Sequence, residues 1–408
     1  MEKIRPSDLP IGRVTTTEYF GPDGELLLAK GVTITERHVA AIRRRNVYEL
    51  RVGRQDSEHD EIEALLSKDL ADLADLDLED VPLKPHATRP TDTPKALEIP
   101  ELRDIRQGRE GLAQLVGSKP AIELDRRIER RGTPDRPSGP PLRDRMTQIA
   151  FEARTPTYKR RVVDGYRSAL AEVRGILTAL ADADRIDQSR ARFVVERFMQ
   201  TLVSDRNILL GIAGTKYGDS DYLHAHSLNV CLLALAIAAA AGYSEQQVIE
   251  IGMGALLHDI GMFLVPPSVQ TGTHRLSSDG WFEVQKHPIL GLHILERVKG
   301  LPAAVPIVAY QTHERENGRG YPRQRRGRFI HCFAKIVALA DIYEAVSSPR
   351  PYREAMPPYA GTEMLVKMAR QGLVSGEFVR AFLSVASLFP IGSLVGLSDK
   401  RIARVVGA

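Results

Sequence analysis

Between residues 216 and 390 of this 408-residue chain, apolar segments of helical period follow one another, and several carry a histidine or an aspartate. His226 opens a long apolar helix, and His258 and Asp259 close the next in GALLHDIG. His287 lies just before another in KHPILGLHIL, His313 ends VPIVAYQTHE, and Asp341 sits inside KIVALADIYEAV. A chain of this pattern either brings these polar groups to one point in a helical bundle or strands each of them in an apolar interior. Stranding is costly, because an unpaired ion in such surroundings has lost its hydration and gained nothing. Convergence on metal removes that cost, and helix bundles build metal sites from inward-facing imidazoles and carboxylates. A lone histidine at a helix end is more often a cap or a surface group. Six such coincidences in a row are a poor alternative to one shared centre.

Clustering alone says little, although eight of the eleven histidines fall between 224 and 331. His224 is two residues from His226 and should point elsewhere on the helix. His293 lies six residues past His287, and it and His331 are read as structural. The adjacent pair His258–Asp259 is the sharpest feature, flanked by Leu256, Leu257 and Ile260. One carboxylate can bridge two cations while its neighbour binds one of them. Imidazole and carboxylate without thiolate suit Fe, Mn, Ni or Zn. Two such ions turn a bridging water into hydroxide near neutral pH and stabilise in-line attack on phosphorus. Asp259 and His258 are therefore the candidate catalytic pair. The metal set is His226, His258, Asp259, His287, His313 and Asp341.

The rest of the chain frames this region. Its length allows two or three domains. A formal charge of +4 is small for 408 residues and gives no argument for a nucleic-acid polymer as partner. Cys231 and Cys332 are too few for a disulfide framework, which suits a cytoplasmic protein. MEKIRPSDLP lacks an apolar signal core, and the alanine-rich run Val230 to Tyr243 is shorter than the roughly 20 residues of a membrane span, so no membrane insertion is expected. Residues 1–54 read as a small α+β module, with Thr35 capping a helix. Residues 55–144, rich in charge and proline, read as a largely disordered linker. Residues 145–215 carry two long helices, 157–186 and 187–213, a candidate dimerisation segment whose blander alternative is packing within the chain. The tail FPIGSLVGLSDKRIARVV reads as a small hairpin. The fold class is thus mainly α: an all-helical domain over 216–400, a small α+β N-terminal module and a flexible linker.

The order His226, His258–Asp259, Asp341 resembles the HD superfamily of metal-dependent phosphohydrolases. HERENGRGYP at 313–322 resembles the motif of its HD-GYP branch, SSPRPYRE at 347–354 the segment after that family's last metal-binding aspartate, and LFPIGSLVGLSD at 388–399 its ending. The resemblance implies two divalent metal ions, Fe or Mn, and hydrolysis of cyclic di-GMP to pGpG or on to GMP. It also implies that His226, His258, Asp259 and Asp341 are the basic ligand set, joined by His287 and His313. Arg350 and Arg353 match residues that meet the substrate's phosphates, as paired guanidinium donors do well. Tyr321 and Glu344 join the substrate-binding set, although Tyr321 is favoured as a lock on the glycine-rich loop. The partners expected are cyclic di-GMP, a second copy of the chain and signalling proteins.

Four positions depart from the family pattern. Tyr222 stands where three-metal members have Glu, Thr312 where many have a second His, Met262 where Lys is usual, and Glu344 where Asp is common. Met262 and Thr312 favour the alternative of a catalytically weak module that binds cyclic di-GMP or a protein. A hydrolase of another nucleotide is the third reading.

Overall fold

The computed structural model of the chain describes residues 3–13, 15, 19–20, 26–28, 33–44, 50–52, 102, 104–131, 136–147, 156–182, 188–206, 222–266, 269, 278–348, 355–386, 394–396 and 402–404. These fall into two compact units, 1–75 and 76–408.

In the first unit, strands β1 (Lys3–Ile4), β2 (Tyr19–Phe20), β3 (Leu26–Leu28) and β4 (Leu50–Val52) form an antiparallel sheet in the order β1-β4-β2-β3. Helix α1 (Glu36–Arg44) precedes β4. The Thr35 hydroxyl accepts from the backbone N–H of His38 at 3.4 Å, as its position ahead of the helix predicts. Leu9, Ile34 and Ile42 are buried in this unit.

The second unit is helical: α2 (Gly108–Val116), α3 (Lys119–Arg131), α4 (Pro156–Asp182), α5 (Gln188–Ser204), α6 (Tyr222–Ala240), α7 (Glu245–Leu257), α8 (Ser278–Gln285), α9 (His287–Leu295), α10 (Ala304–Gln311), α11 (Cys332–Ser347), α12 (Pro358–Arg370) and α13 (Gly376–Leu383). It ends in the antiparallel hairpin β5 (Leu394–Gly396) and β6 (Ile402–Arg404), paired Val395 to Ala403. Helices α6, α7, α10 and α11 pack on one another at its centre. Their composition explains this. Leu228, Val230, Leu232, Ile237, Val248, Ile251, Leu256, Val308, Ile336 and Val337 are buried, and α6 is apolar around its whole circumference. Leu223–Ala240 and Glu245–Leu264 have the length and composition of membrane spans, yet 83% and 67% of those windows are buried inside the protein.

Helices α4 and α5 begin near their predicted starts, and the described parts end at Asp182 and Ser204. Their apolar stripes are covered from within: Tyr166, Ala169, Val173 and Leu177 of α4 and Val194, Val195, Phe198 and Leu202 of α5 are buried, and the helices pack on α6 and α7. Much of the apolar period is thus met within the chain, while Phe193 of α5 stays 57% exposed.

The largest correction concerns residues 55–144. Residues 53–101 and 132–135 lie outside the described ones, but 104–131 and 136–147 are built into the domain. Leu115, Ala121 and Leu124 join a core with Val265, Ile289, Leu290, Leu292, Ile307 and Tyr310. Polar pins reinforce the contact. Glu283 accepts from the Gly108 N–H at 2.6 Å, and Lys286 Nζ donates to the Arg106 carbonyl at 2.8 Å. Asp125 of α3 pairs with Arg323 and, at 2.6 Å, with Arg325. The proline-rich stretch after α3 is likewise anchored: Ser138 N donates to Gln247 Oε1 at 3.0 Å, and Gln247 Nε2 to the Arg136 carbonyl at 2.8 Å. Leucines at helical spacing were present at 112, 115 and 124, but the charge and proline on either side masked them.

Asp125→Ala would leave two part-buried guanidinium groups without their carboxylate. Urea denaturation of the full chain should show a loss of about 3 kcal/mol, whereas exposed Glu129→Ala should cost at most about 0.5 kcal/mol.

Candidate metal centre

Five elements deliver the six residues. His226 lies in the first turns of α6, and His258 and Asp259 sit where α7 gives way to a 3-10 turn, Ile260–Leu264. His287 is the first residue of α9, His313 follows the end of α10, and Asp341 lies within α11. All six meet. Asp259 Oδ1 is 3.3 Å from His258 Nε2, 3.3 Å from His287 Nε2 and 3.4 Å from His313 Nε2. Its Oδ2 is 3.6 Å from His226 Nε2. Asp341 Oδ1 is 3.3 Å from His226 Nε2 and 3.9 Å from His258 Nε2, while its Oδ2 is 3.7 Å from His313 Nδ1.

Close backbone packing makes this convergence possible. A Cβ on Gly261 would fall 1.9 Å from the His287 carbonyl oxygen and 2.5 Å from Gly291 N, so only glycine lets the 3-10 turn lie against α9. A Cβ on Gly320 would meet the His313 carbonyl oxygen at 2.4 Å, and the Tyr321 N–H donates to that same oxygen at 3.1 Å. The glycine-rich loop thereby folds back over the end of α10.

Backbone and side-chain acceptors behind the rings set their orientation. His258 Nδ1 donates to the Ala255 carbonyl at 2.8 Å and His287 Nδ1 to the Val284 carbonyl at 2.7 Å. His226 Nδ1 donates to Glu344 Oε2 at 2.5 Å. Each ring then presents Nε2 to the centre as a lone pair, the arrangement typical of metal-bound histidine. His258 Nε2, His287 Nε2, His313 Nε2 and Asp259 Oδ1 are buried and make no well-formed hydrogen bond among the described residues. Buried polar atoms are seldom left so. Three overlapping triads have ligand atoms within 4.8 Å of one another: His226/His258/Asp259, His258/His313/Asp341 and Asp259/His287/His313. Nitrogen and oxygen donors of this kind, with Asp259 in two triads, fit divalent cations.

The carboxylates and rings also shift one another's proton affinity, and at His226 a metal would have to displace a proton. Burial alone would raise the Asp259 carboxyl, but the His258, His287 and His313 rings outweigh it and hold the group well below the usual range. Asp341 is lowered in the same way by His226 and His313. Burial pulls His226 down, yet Glu344 and Asp341 prevail and push it up to about 10. His313 goes the other way, lowered by burial to about 4.

The remaining expectations divide. His293 Nε2 meets Ser118 Oγ at 3.1 Å, the His331 ring caps α11 by accepting from Phe333 N at 3.2 Å, and His224 packs on Phe263. All three are outside the centre, as expected. Thr312 is fully buried and donates to the Val308 carbonyl at 2.7 Å. Met262 packs into the α2–α3 core, where a lysine ammonium would be out of place.

Two members of the expected substrate-binding set have protein partners of their own. Glu344 is buried behind His226, where it also accepts from Asn229 Nδ2 at 3.3 Å and Ser348 Oγ at 2.7 Å, so its carboxylate is engaged by protein donors. Tyr321 stacks on His313 with ring centroids 5.0 Å apart and 3° between planes, and meets Trp281 edge-on. These contacts tie the glycine-rich loop to the His313 ring. Arg350 and Arg353 lie outside the described residues, and the side chain of Tyr222 is likewise not described. Sequence reading missed Asn229 and the ligand-supporting place of Glu344. Each follows a ligand by three residues, His226 and Asp341 respectively, which is the spacing of one helix face.

Comparison with known proteins agrees with this geometry. Residues 199–375 match the family model described as HD domain. This segment is therefore similar to that family over the part of the chain that holds all six residues. The chain is 31% identical over 222 residues to a cyclic di-GMP phosphodiesterase of Pseudomonas aeruginosa, covering 54% of this chain and 53% of that one. It is 38% identical over 120 residues to the cyclic di-GMP phosphodiesterase response regulator RpfG of Xanthomonas campestris, covering 29% and 32%. Over 138 residues it is 33% identical to 3'3'-cGAMP-specific phosphodiesterase 3 of Vibrio cholerae, covering 34% and 30%. The chain thus spans about half the length of the first of these relatives and a third of the others.

Gly261→Ala forces the 3-10 turn Ile260–Leu264 away from α9. Metal content after loading with Mn(II) should fall well below that of the parent chain, with a stability loss of about 3 kcal/mol. Gly165→Ala, on α4 with nothing within 4 Å of the added carbon, should leave metal content unchanged and raise stability by about 0.5–1 kcal/mol.

Proposed function

We propose that this segment is an HD-type, divalent-metal-dependent phosphodiesterase that hydrolyses cyclic di-GMP. The observation that carries the reading is Asp259: one buried carboxylate within 3.3 to 3.6 Å of four imidazoles, shared between two ligand triads. The names of the relatives supply the substrate class. Two divalent cations, Fe or Mn, would supply Lewis acidity toward a phosphate and lower the pKa of water at the site.

The chain's own groups do the rest. His226, His258 and Asp341 hold one side of the centre, and His287 and His313 hold the other. Each described Nδ1–H donor is already engaged behind its ring at His226, His258 and His287, so the inner nitrogens stay available as donors to metal. Arg350 and Arg353 would bring guanidinium groups to the non-bridging phosphate oxygens. In the first turnover, water adds to phosphorus, the P–O3' bond breaks, and the 3'-oxygen takes a proton, giving linear pGpG. A second water consumed in the same way gives two GMP. Thr312 and Met262 add neither a ligand nor a positive charge, so the activity rests on the six-residue set and these arginines.

Anaerobic incubation of the full chain with Fe(II) or Mn(II) and cyclic di-GMP should yield pGpG or GMP, and 3'3'-cGAMP run beside it tests the choice of substrate. Asp259→Ala should lose both metal equivalents and all turnover. Tight binding of cyclic di-GMP without product, in fully metal-loaded protein, would overturn the enzymatic reading in favour of a receptor.

A further inference from the structure

A chain of hydrogen bonds runs from outside the matched HD segment to a ligand of the metal centre. It starts at Tyr166 on α4, whose hydroxyl donates to Asn229 Oδ1 on α6 at 2.8 Å. That bond orients the amide so that Asn229 Nδ2 donates to Glu344 Oε1 on α11 at 3.3 Å. Glu344 Oε2 accepts from His226 Nδ1 at 2.5 Å, and His226 Nε2 faces Asp259 and Asp341. Every member is buried: Tyr166 is 1% exposed, Asn229 2%, Glu344 2% and His226 3%. Three helices contribute, and Tyr166 lies 33 residues before the start of the matched segment at residue 199.

We propose that Tyr166 and Asn229 are positioning residues that set the His226 ring, and through it the affinity of one of the two metal positions. This rests on the metal-dependent reading above. The physical reason is geometric. A buried carboxylate holds its direction only as well as its donors hold theirs, and Asn229 and Ser348 both donate to Glu344 Oε1. Removing the Tyr166 hydroxyl frees the Asn229 amide to rotate, which withdraws one donor from Glu344 and loosens the acceptor behind His226. Partners behind metal-bound histidines commonly alter metal affinity by 10- to 100-fold, and a residue two bonds further back should act more weakly. The effect is asymmetric, because only the triad His226/His258/Asp259 contains the ring in question, and Asp259/His287/His313 does not.

The test is titration of the full chain with Mn(II), read by electron paramagnetic resonance of the free ion, so that it needs no turnover. The parent chain should show two binding events. Tyr166→Phe, which keeps the ring that packs edge-on to Phe198, should weaken one event by roughly fivefold and leave the other within twofold. Asn229→Ala cuts the chain of bonds one step nearer and should give a larger loss at the same event. In a Glu344→Gln background, Tyr166→Phe should add nothing further. Equal weakening of both events, or none, would overturn the relay while leaving the metal centre intact. A parent chain that takes up no Mn(II) or Fe(II) would instead overturn the metal-dependent reading, and the relay with it.

Discussion

Two carboxylates buried among four imidazoles are the constraint around which the second unit is built. Asp259 and Asp341 are only 13% and 12% exposed at their side chains, in a region otherwise assembled from leucine, isoleucine, valine and alanine. Anions so placed are tolerated only with positive charge beside them. The helices therefore do more than exclude water. Their ends and faces are set so that the His226, His258 and His287 rings can each turn one nitrogen inward while the other is tied to a carbonyl or to Glu344. Close contacts at Gly261 and Gly320 are the backbone cost of that convergence.

Much of this was legible in the sequence because the centre is made from local punctuation. A histidine at the border of an apolar helix is visible without coordinates, and four of them in series with two aspartates point inward together. The hairpin at the end and the cap at Thr35 were equally local. What escaped was long-range or camouflaged. Asn229 and Glu344 were on the right helix faces, but nothing local says that they face each other across 115 residues. Tyr166 gave no sign at all, since an aromatic on an apolar stripe is usually core and nothing more. Helices α2 and α3 were hidden because composition was averaged over a long stretch, and their few leucines drowned among arginines, glutamates and prolines.

Those two helices change what counts as the domain. The family match begins at residue 199, but the helical unit is also clad by residues that precede it by up to 97 positions. Asp125 reaches the glycine-rich loop through Arg323 and Arg325, and Glu314 on that loop accepts from the backbone N–H groups of both arginines at 2.7 and 2.8 Å. The loop bearing Tyr321 is therefore held from two directions, by α3 outside and by Glu314 within.

One consequence concerns light rather than chemistry. Trp281 is the single tryptophan of the chain. It stands edge-on to Tyr321, which in turn lies flat on the His313 ring. An indole so placed is a built-in optical probe: its emission should follow what happens at His313 without any label, and with no second fluorophore of its kind elsewhere in the chain to blur the record.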